Sequence, residues 1–350
     1  MGRSAEPNAC ADVRLGSNAD FRVSLRPNAA TSASLTPSMA SCFSLVVIDS
    51  DQCAQPPTVL LAREGNCAMG YASIVVAATG AEDDSAAVSV ACDLAKRHQA
   101  SVTVVVVVPQ LATAMASMSV ASARYARQAW RGMADSRERL VDDARAIIAE
   151  AARKHCADGE PSIAMAPLAD DPWLGLEREL PLADLVVVAH SAARGEGPWT
   201  GPLGEALMAG RAPVLIAGNR VPLAAAPAAV AWDGSPEAGR AVRAAVSLLR
   251  DASNVAILQY SGELQTLAGS AADPARLSRY LRAKGVRETT VHQVTGSKPG
   301  PALLQAAQSL DAALFVAGAF GHARLAETIF GGATRTFLHA DEGLHLFLSH

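Results

Sequence analysis

The stretch Gly318-Ala-Phe-Gly321-His-Ala-Arg-Leu-Ala-Glu-Thr-Ile-Phe-Gly331-Gly332-Ala-Thr334 follows directly on the apolar run Ala312-Ala-Leu-Phe-Val-Ala317. A buried-strand pattern, two spaced glycines, a polar segment and a glycine pair that opens a helical pattern are the parts of a phosphate-binding loop. Glycine has no Cβ, so the backbone can turn sharply after the strand and approach an anion closely. A helix that begins at Gly331-Gly332 would direct free N–H groups and the positive end of its dipole at that anion.

The same glycines also have a plainer interpretation. Glycine after a strand is common turn chemistry, and the two glycine clusters could be two separate turns. Spacing alone therefore leaves both interpretations open.

Length and composition favour an α/β protein. The chain has 350 residues, which is room for about two ordinary domains. Half of the residues are hydrophobic, 18% are charged and only 4% are aromatic, so the core has to be built from Ala, Val and Leu. This suits helices packed on a parallel sheet. The net charge of −4 and the lack of a polybasic segment predict neither a nucleic-acid nor a membrane partner.

Residues 1–68 differ in composition from the rest of the chain. They contain no Lys, His, Trp or Tyr and hold four of the six cysteines. We expect a disordered extension or an upstream stretch wrongly included in the reading frame, with Met69 as a natural start. The cysteines lack Cys-x2-Cys spacing and a histidine, which disfavours a zinc site. Neither a secretory signal nor an apolar run of membrane-spanning length is present, so we expect a reducing, cytoplasmic location.

From Ser73 onward, strand and helix patterns alternate, which predicts βαβ units and a parallel sheet. The first set, in the segment 69–218, has predicted strands at 73–78, 101–108, 162–168, 183–189 and 212–217 and helices at 82–97 and 120–155. A linker at 219–227 leads to the same order in the segment 228–350. Its first predicted strand begins at Ala228 and ends before Asp233. The other predicted strands are 254–260, 288–294, 312–317 and 344–349, and the predicted helices are 236–250, 274–284 and 301–310. We call the two segments the first half and the second half.

The repeated order of predicted strands and helices indicates an internal duplication, with one insertion in the first half. The first half carries 25 extra residues between its first and fourth strands, and we place them in the long helical region 120–155. The last predicted strand has His345 between two leucines, and the preceding segment 339–343 is polar. We expect this to weaken edge-to-edge pairing through that strand.

The glycine pattern resembles the nucleotide loop of the universal stress protein family: Gly-x2-Gly, nine residues, then Gly, normally followed by Ser or Thr. The resemblance covers residues 70–350. It implies an α/β fold of two tandem flavodoxin-like domains of the adenine nucleotide alpha hydrolase type, each a five-stranded parallel sheet with helices on both faces. It also implies a stress-response role with ATP bound at the carboxyl ends of the strands, and Mg²⁺ only together with ATP.

The resemblance also implies the binding residues. Gly318, Gly321 and Gly331 match the family's loop, whereas Gly332 replaces the hydroxyl residue and Thr334 is a substitute one turn further on. His322 and Arg324 lie in the polar part of the loop. Asp233 follows the first strand of the second half at the switch point of the sheet, where the family has an aspartate that contacts the nucleoside. The sequence Asp-Gly-Ser-Pro-Glu at this place is equally a helix N-cap.

The first half lacks this equipment. Thr79 stands where Asp233 does, and Ala189-His190-Ser-Ala192 replaces the first glycine pair. His190 and Arg194 could touch an anion, but a strand-end histidine is more often structural. We expect the first half to bind no nucleotide and to serve as a packing partner, in an intramolecular pseudo-dimer that leaves a homodimer open.

Enzyme motifs are missing. We find no Gly-x4-Gly-Lys-Ser/Thr loop, no Gly-x-Ser-x-Gly elbow, no His-Glu-x2-His helix and no Gly-x-Gly-x2-Gly turn. We therefore expect no catalytic residues, no resident metal and at most weak ATPase activity. Two hypotheses remain: a nucleotide-binding regulatory module with unidentified protein partners, and an interaction protein that has lost nucleotide binding. The two hypotheses differ in whether the loop can bind a nucleotide with Gly332 in place of Ser or Thr.

Overall fold

The computed structural model describes residues 70–80, 82–106, 123–156, 161–169, 172–194, 212–219, 223–261, 272–319, 336–338 and 343–350. Within these ranges, the side chains of 123–134, 172 and 173 are not described. The chain divides into two units, residues 1–67 and 68–350, and every described residue belongs to the second. The predictions for residues 1–68 fall outside the described residues.

Short runs of Val, Ala, Leu and Ile form the strands, and most of their residues are buried because helices cover both faces of the sheet. The strands are β1 (Ser73–Ala78), β2 (Ser101–Val106), β3 (Ile163–Met165), β4 (Leu185–Ala189), β5 (Val214–Ala217), β6 (Ala228–Ala231), β7 (Val255–Tyr260), β8 (Thr289–Val294), β9 (Leu314–Gly318) and β10 (His345–Ser349).

The helices carry the expected start signals. Three of those in the second half begin with proline at the first helical position, where its missing N–H costs nothing. The α-helices are α1 (Asp84–His98), α2 (Ala123–His155), α3 (Pro172–Glu179), α4 (His190–Arg194), α5 (Pro236–Ala244), α6 (Val246–Asp251), α7 (Pro274–Ala283) and α8 (Pro299–Ser309).

The strands form one ten-stranded sheet in the order β3-β2-β1-β4-β5-β10-β9-β6-β7-β8. Each half contributes five strands in the same order, outward from the centre. Within each half every pairing is parallel. The α/β class and the predicted parallel pairing are therefore confirmed.

The two halves meet at an antiparallel pair, β5 with β10, in which Phe347 lies opposite Leu215. The pairing that the polar lead was expected to weaken does form, and residues 339–342 of that lead lie outside the described residues. His345 is fully buried, and its Nδ1 accepts a hydrogen bond from the Gly218 N–H at 3.1 Å. The polar side chain therefore supplies an acceptor to the backbone where β5 ends.

Alternate residues of each strand point into two cores, one on each face. Ile74, Val76 and Leu185 pack with α1 on one face, where residues of α5, α6 and α7 continue the same core. Val75 and Val186 pack with Leu176 and with α8 on the other face. This is the period-2 pattern of a sheet that is buried on both sides.

The insertion in the first half is a helix, as predicted. Helix α2 has 33 residues, whereas α7, at the corresponding place in the second half, has 10. Two predictions were less accurate: the helix expected at 236–250 is broken at Ala245 into α5 and α6, and the loop expected after β4 begins with α4. Among the described helices, none is long and apolar enough to cross a membrane.

Candidate functional site

The candidate site lies at the carboxyl ends of β6 and β9. Strand β6 pairs with β9 on one side and β7 on the other, with Val230 opposite Val316. The chain runs from β6 to β7 and β8 on one side and then crosses to β9 on the other side, so the strand order reverses between β6 and β9 and this is the switch point of the second half. Asp233 follows the end of β6, and Gly318 ends β9. The structure thus brings together the two predicted site residues that it describes.

A tight turn holds Asp233. Its Oδ1 accepts a hydrogen bond from the Ser235 N–H at 2.9 Å, and the side chain is exposed. Gly234 has a φ of +76°, a conformation that favours glycine. Ser235 is the N-cap of α5, and its Oγ accepts from the Ala238 N–H at 3.1 Å. The capping interpretation of this segment is therefore confirmed, with Ser235 as the cap and Asp233 bracing it.

Gly318 is explained by packing. A Cβ at this position would lie 2.6 Å from the Ala238 nitrogen and 2.8 Å from the Glu237 carbonyl carbon. Both are backbone atoms in the first turn of α5, and real Cβ contacts are essentially never so short. The glycine lets the start of α5 lie directly against the end of β9. Its close approach to an anion remains a prediction.

The other predicted ligands, Gly321, His322, Arg324, Gly331, Gly332 and Thr334, lie outside the described residues. The residues on both sides of that segment are placed. The Ala319 N–H donates to the Ser349 carbonyl at 2.8 Å. Phe337 packs edge-on against Phe315 of β9, with 5.0 Å between ring centroids. Both ends of the predicted loop are thus anchored at β9 and β10.

In the first half, carboxylates of the chain occupy the backbone donors at the corresponding strand end. The N–H groups of Thr79 and Gly80 both donate to Asp84 Oδ2, each at 2.7 Å. Asp84 is only 1% exposed. These are the donors that follow β1, the strand equivalent to β6.

Two further contacts close the same edge. Asp83 accepts hydrogen bonds from the Ser191 N–H, at 2.9 Å, and from the Ser191 hydroxyl. Leu140 of α2 packs directly over Gly80, so that an added Cβ there would collide with the leucine side chain. These contacts give a physical reason for the expectation that the first half binds no nucleotide. His190 and Arg194 are the first and last residues of α4. In the same helix, Ser191 is hydrogen-bonded to the Asp83 carboxylate.

Sequence reasoning missed Asp83, Asp84 and Leu140. The acidic pair at the start of α1 was a visible capping signal, but its partner Ser191 is 108 residues away. No local pattern predicts such a pair. Among the described residues, no group of three or more His, Cys, Asp or Glu side chains could hold a metal ion.

Comparisons with known proteins agree with this architecture. Residues 227–340 match the model of the Universal stress protein family. A universal stress protein from Archaeoglobus fulgidus has 16% identity and a TM-score of 0.56, over 79% of this chain and 95% of that one. The similarity extends beyond the matched segment and shows a shared fold.

Two shorter structures match about a third of the chain. The universal stress protein UspA from Lactobacillus plantarum has 17% identity and a TM-score of 0.31, over 36% of this chain and 99% of its own. A universal stress protein in complex with cAMP has 20% identity and a TM-score of 0.30, over 36% and 98%. No curated protein matches the sequence.

Proposed function

We propose that this protein, whose residues 227–340 match the Universal stress protein family model, is a cytoplasmic stress-response regulatory module that binds ATP or another adenine nucleotide in its second half. The observation that carries the proposal is the exposed carboxylate of Asp233 at the switch point, beside the strand that ends at Gly318. Ligands of open α/β sheets bind at this place.

The chemistry of Asp233 suits a nucleoside. An ionised carboxylate accepts hydrogen bonds at about four sites, and ribose hydroxyls and the adenine amino group are donors of the kind that it accepts. The turn fixes the direction of the carboxylate, which lowers the entropic cost of binding. In this proposal the glycine loop at 318–332 holds the phosphates, together with His322, Arg324 and Thr334. Mg²⁺ enters only with ATP, and any phosphate release is a slow by-product.

The contrast between the halves supports a single site. At the first-half strand end, Asp84 accepts from the N–H groups of Thr79 and Gly80, and Leu140 covers Gly80. A nucleotide would have to displace two part-buried hydrogen bonds and an apolar contact there. Breaking bonds to a buried charged group costs about 1.5–3 kcal/mol each, so binding in the first half is disfavoured.

The test is calorimetric titration of ATP into the full chain, with Asp233→Ala and Thr79→Ala as a matched pair at equivalent positions. We expect binding to the parent and to Thr79→Ala, and a loss of at least tenfold in Asp233→Ala. Urea unfolding of each variant checks that it is folded. Equal affinity of the two variants would contradict the assigned role of Asp233.

One observation favours a second function, an interaction protein without a nucleotide. Gly318 is required by its contact with α5 whether or not a ligand binds, so its presence does not depend on nucleotide binding. The missing hydroxyl at Gly332 points in the same direction. Absence of ATP binding by a folded parent protein would select this function.

A further inference from the structure

The carboxyl end of α2 is attached to α1 by polar contacts. His155 Nδ1 lies 2.9 Å from Asp93 Oδ1, and His155 Nε2 lies 3.1 Å from Ser89 Oγ. Cys92 and Asp93 follow Ser89 by three and four residues, so both lie beside Ser89 on α1. The last residue of α2 is therefore held against the face that carries Cys92.

Cys156 follows directly and meets Cys92. The Cys156 N–H donates to the Ala152 carbonyl at 3.0 Å, which continues the helical turn. Its thiol is in hydrogen-bond contact with the Cys92 thiol. Both cysteines are reduced in this structure. Contact between the two thiols, on elements fixed by the His155 contacts, is the first requirement for a disulfide.

The two thiols differ in access. Cys92 is fully buried, and burial raises its pKa to about 12. Cys156 is partly exposed. A dissolved oxidant therefore reaches Cys156 first, and Cys92 is protected until a partner sulfur is oxidised next to it. This is the arrangement of an attacking and a resolving cysteine.

We propose that Cys92 and Cys156 form a hydroperoxide-reactive dithiol that closes to a disulfide between α1 and α2. The Cys156 thiolate attacks the peroxide oxygen; an S–O bond forms, the O–O bond breaks, and the hydroxide released takes up a proton to give water. Cys92 then attacks the Cys156 sulfur of the sulfenic acid. The S–S bond forms, the S–O bond breaks, and the second hydroxide leaves as water with the Cys92 proton. The two sulfurs together lose two electrons, which reduce one hydrogen peroxide to two waters.

Neighbour geometry compensates for the low thiolate content of Cys92. Well-oriented groups held in contact react with effective molarities that reach about 10⁵–10⁸ M. Transient disulfides of this kind are the form in which disulfides occur in reducing compartments. The cross-link would fix the inserted helix, which also carries Leu140, to the sheet-covering helix α1.

The test uses the reduced full chain treated with hydrogen peroxide, blocked with an alkylating agent and mapped by mass spectrometry without reduction. We expect a Cys92–Cys156 cross-linked peptide as the main product at these positions. Cys92→Ala should instead trap Cys156 as a sulfenic acid that dimedone labels. Cys156→Ser should leave Cys92 unoxidised at the same dose.

A second measurement on the unsubstituted protein guards against variants that fail to fold. The oxidised protein should melt several degrees above the reduced protein, because the cross-link constrains the unfolded chain. The proposal is overturned if Cys156 goes to sulfinic or sulfonic acid without cross-linking, pairs mainly with Cys10, Cys42, Cys53 or Cys67, or does not react. Equal melting temperatures with a proven cross-link would overturn the bracing of α2.

Discussion

Replacing Gly318 by alanine tests how the start of α5 is seated on β9. The added Cβ would lie 2.6 Å from the Ala238 nitrogen and 2.8 Å from the Glu237 carbonyl carbon. Comfortable contacts begin about 0.6–0.8 Å further out, so the first turn of α5 has to move away from β9. Both clashing atoms belong to the backbone, and no rotamer change relieves them. Overpacking of this kind costs about 1–3 kcal/mol, and we expect about 2 kcal/mol.

Gly239→Ala in the same helix is the matched control. The nearest atom to its added Cβ is the Arg243 guanidinium Nη1 at 3.3 Å, the end of a flexible side chain. Alanine inside a helix is favoured over glycine by about 0.5–1 kcal/mol. The two glycine-to-alanine changes should therefore have opposite signs and differ by about 3 kcal/mol in urea unfolding at equal slope. If Gly318→Ala is as stable as the parent, the packing explanation of this glycine is wrong.

Two further predictions concern histidines. Burial lowers the pKa of His98 below its ordinary value of 6.5, so the unfolded chain binds a proton more readily and stability is lost as the pH falls through about 6.5. The His98 ring packs edge-to-face with Tyr71, with 5.2 Å between ring centroids. His98→Phe keeps this ring contact but cannot be protonated, so its urea midpoint should fall less between pH 7 and pH 5 than that of the parent; an identical fall would refute this. His345→Leu removes the acceptor of the buried Gly218 N–H and should cost about 1–3 kcal/mol in urea unfolding, whereas unchanged stability would show that the bond does not hold the β5–β10 junction.

Much of the fold followed from local patterns. The valine-rich run Ser101–Val106 is a buried-strand pattern, and it forms a strand. The repeated order of strands and helices predicted the parallel pairing within each half. The long helix α2 was visible as an insertion. These features depend on periodicity, which the sequence displays directly.

Contacts between distant segments were not predictable in the same way. His345 looked like a defect in a strand, but its ring accepts a hydrogen bond from Gly218, 127 residues away. The hydrogen bonds of Asp83 with Ser191 likewise join residues 108 positions apart. At the candidate site, the position of Asp233 was predicted correctly, whereas the packing reason for Gly318 required the placement of α5.

The central claim is that the second half binds one nucleotide and the first half binds none. The most direct measurement is the stoichiometry of ATP binding to the full, folded chain by calorimetry. The account predicts one ATP per chain, because carboxylates and Leu140 close the first-half strand end. Two ATP per chain would contradict the closed first half, and no binding would contradict the nucleotide site at Asp233.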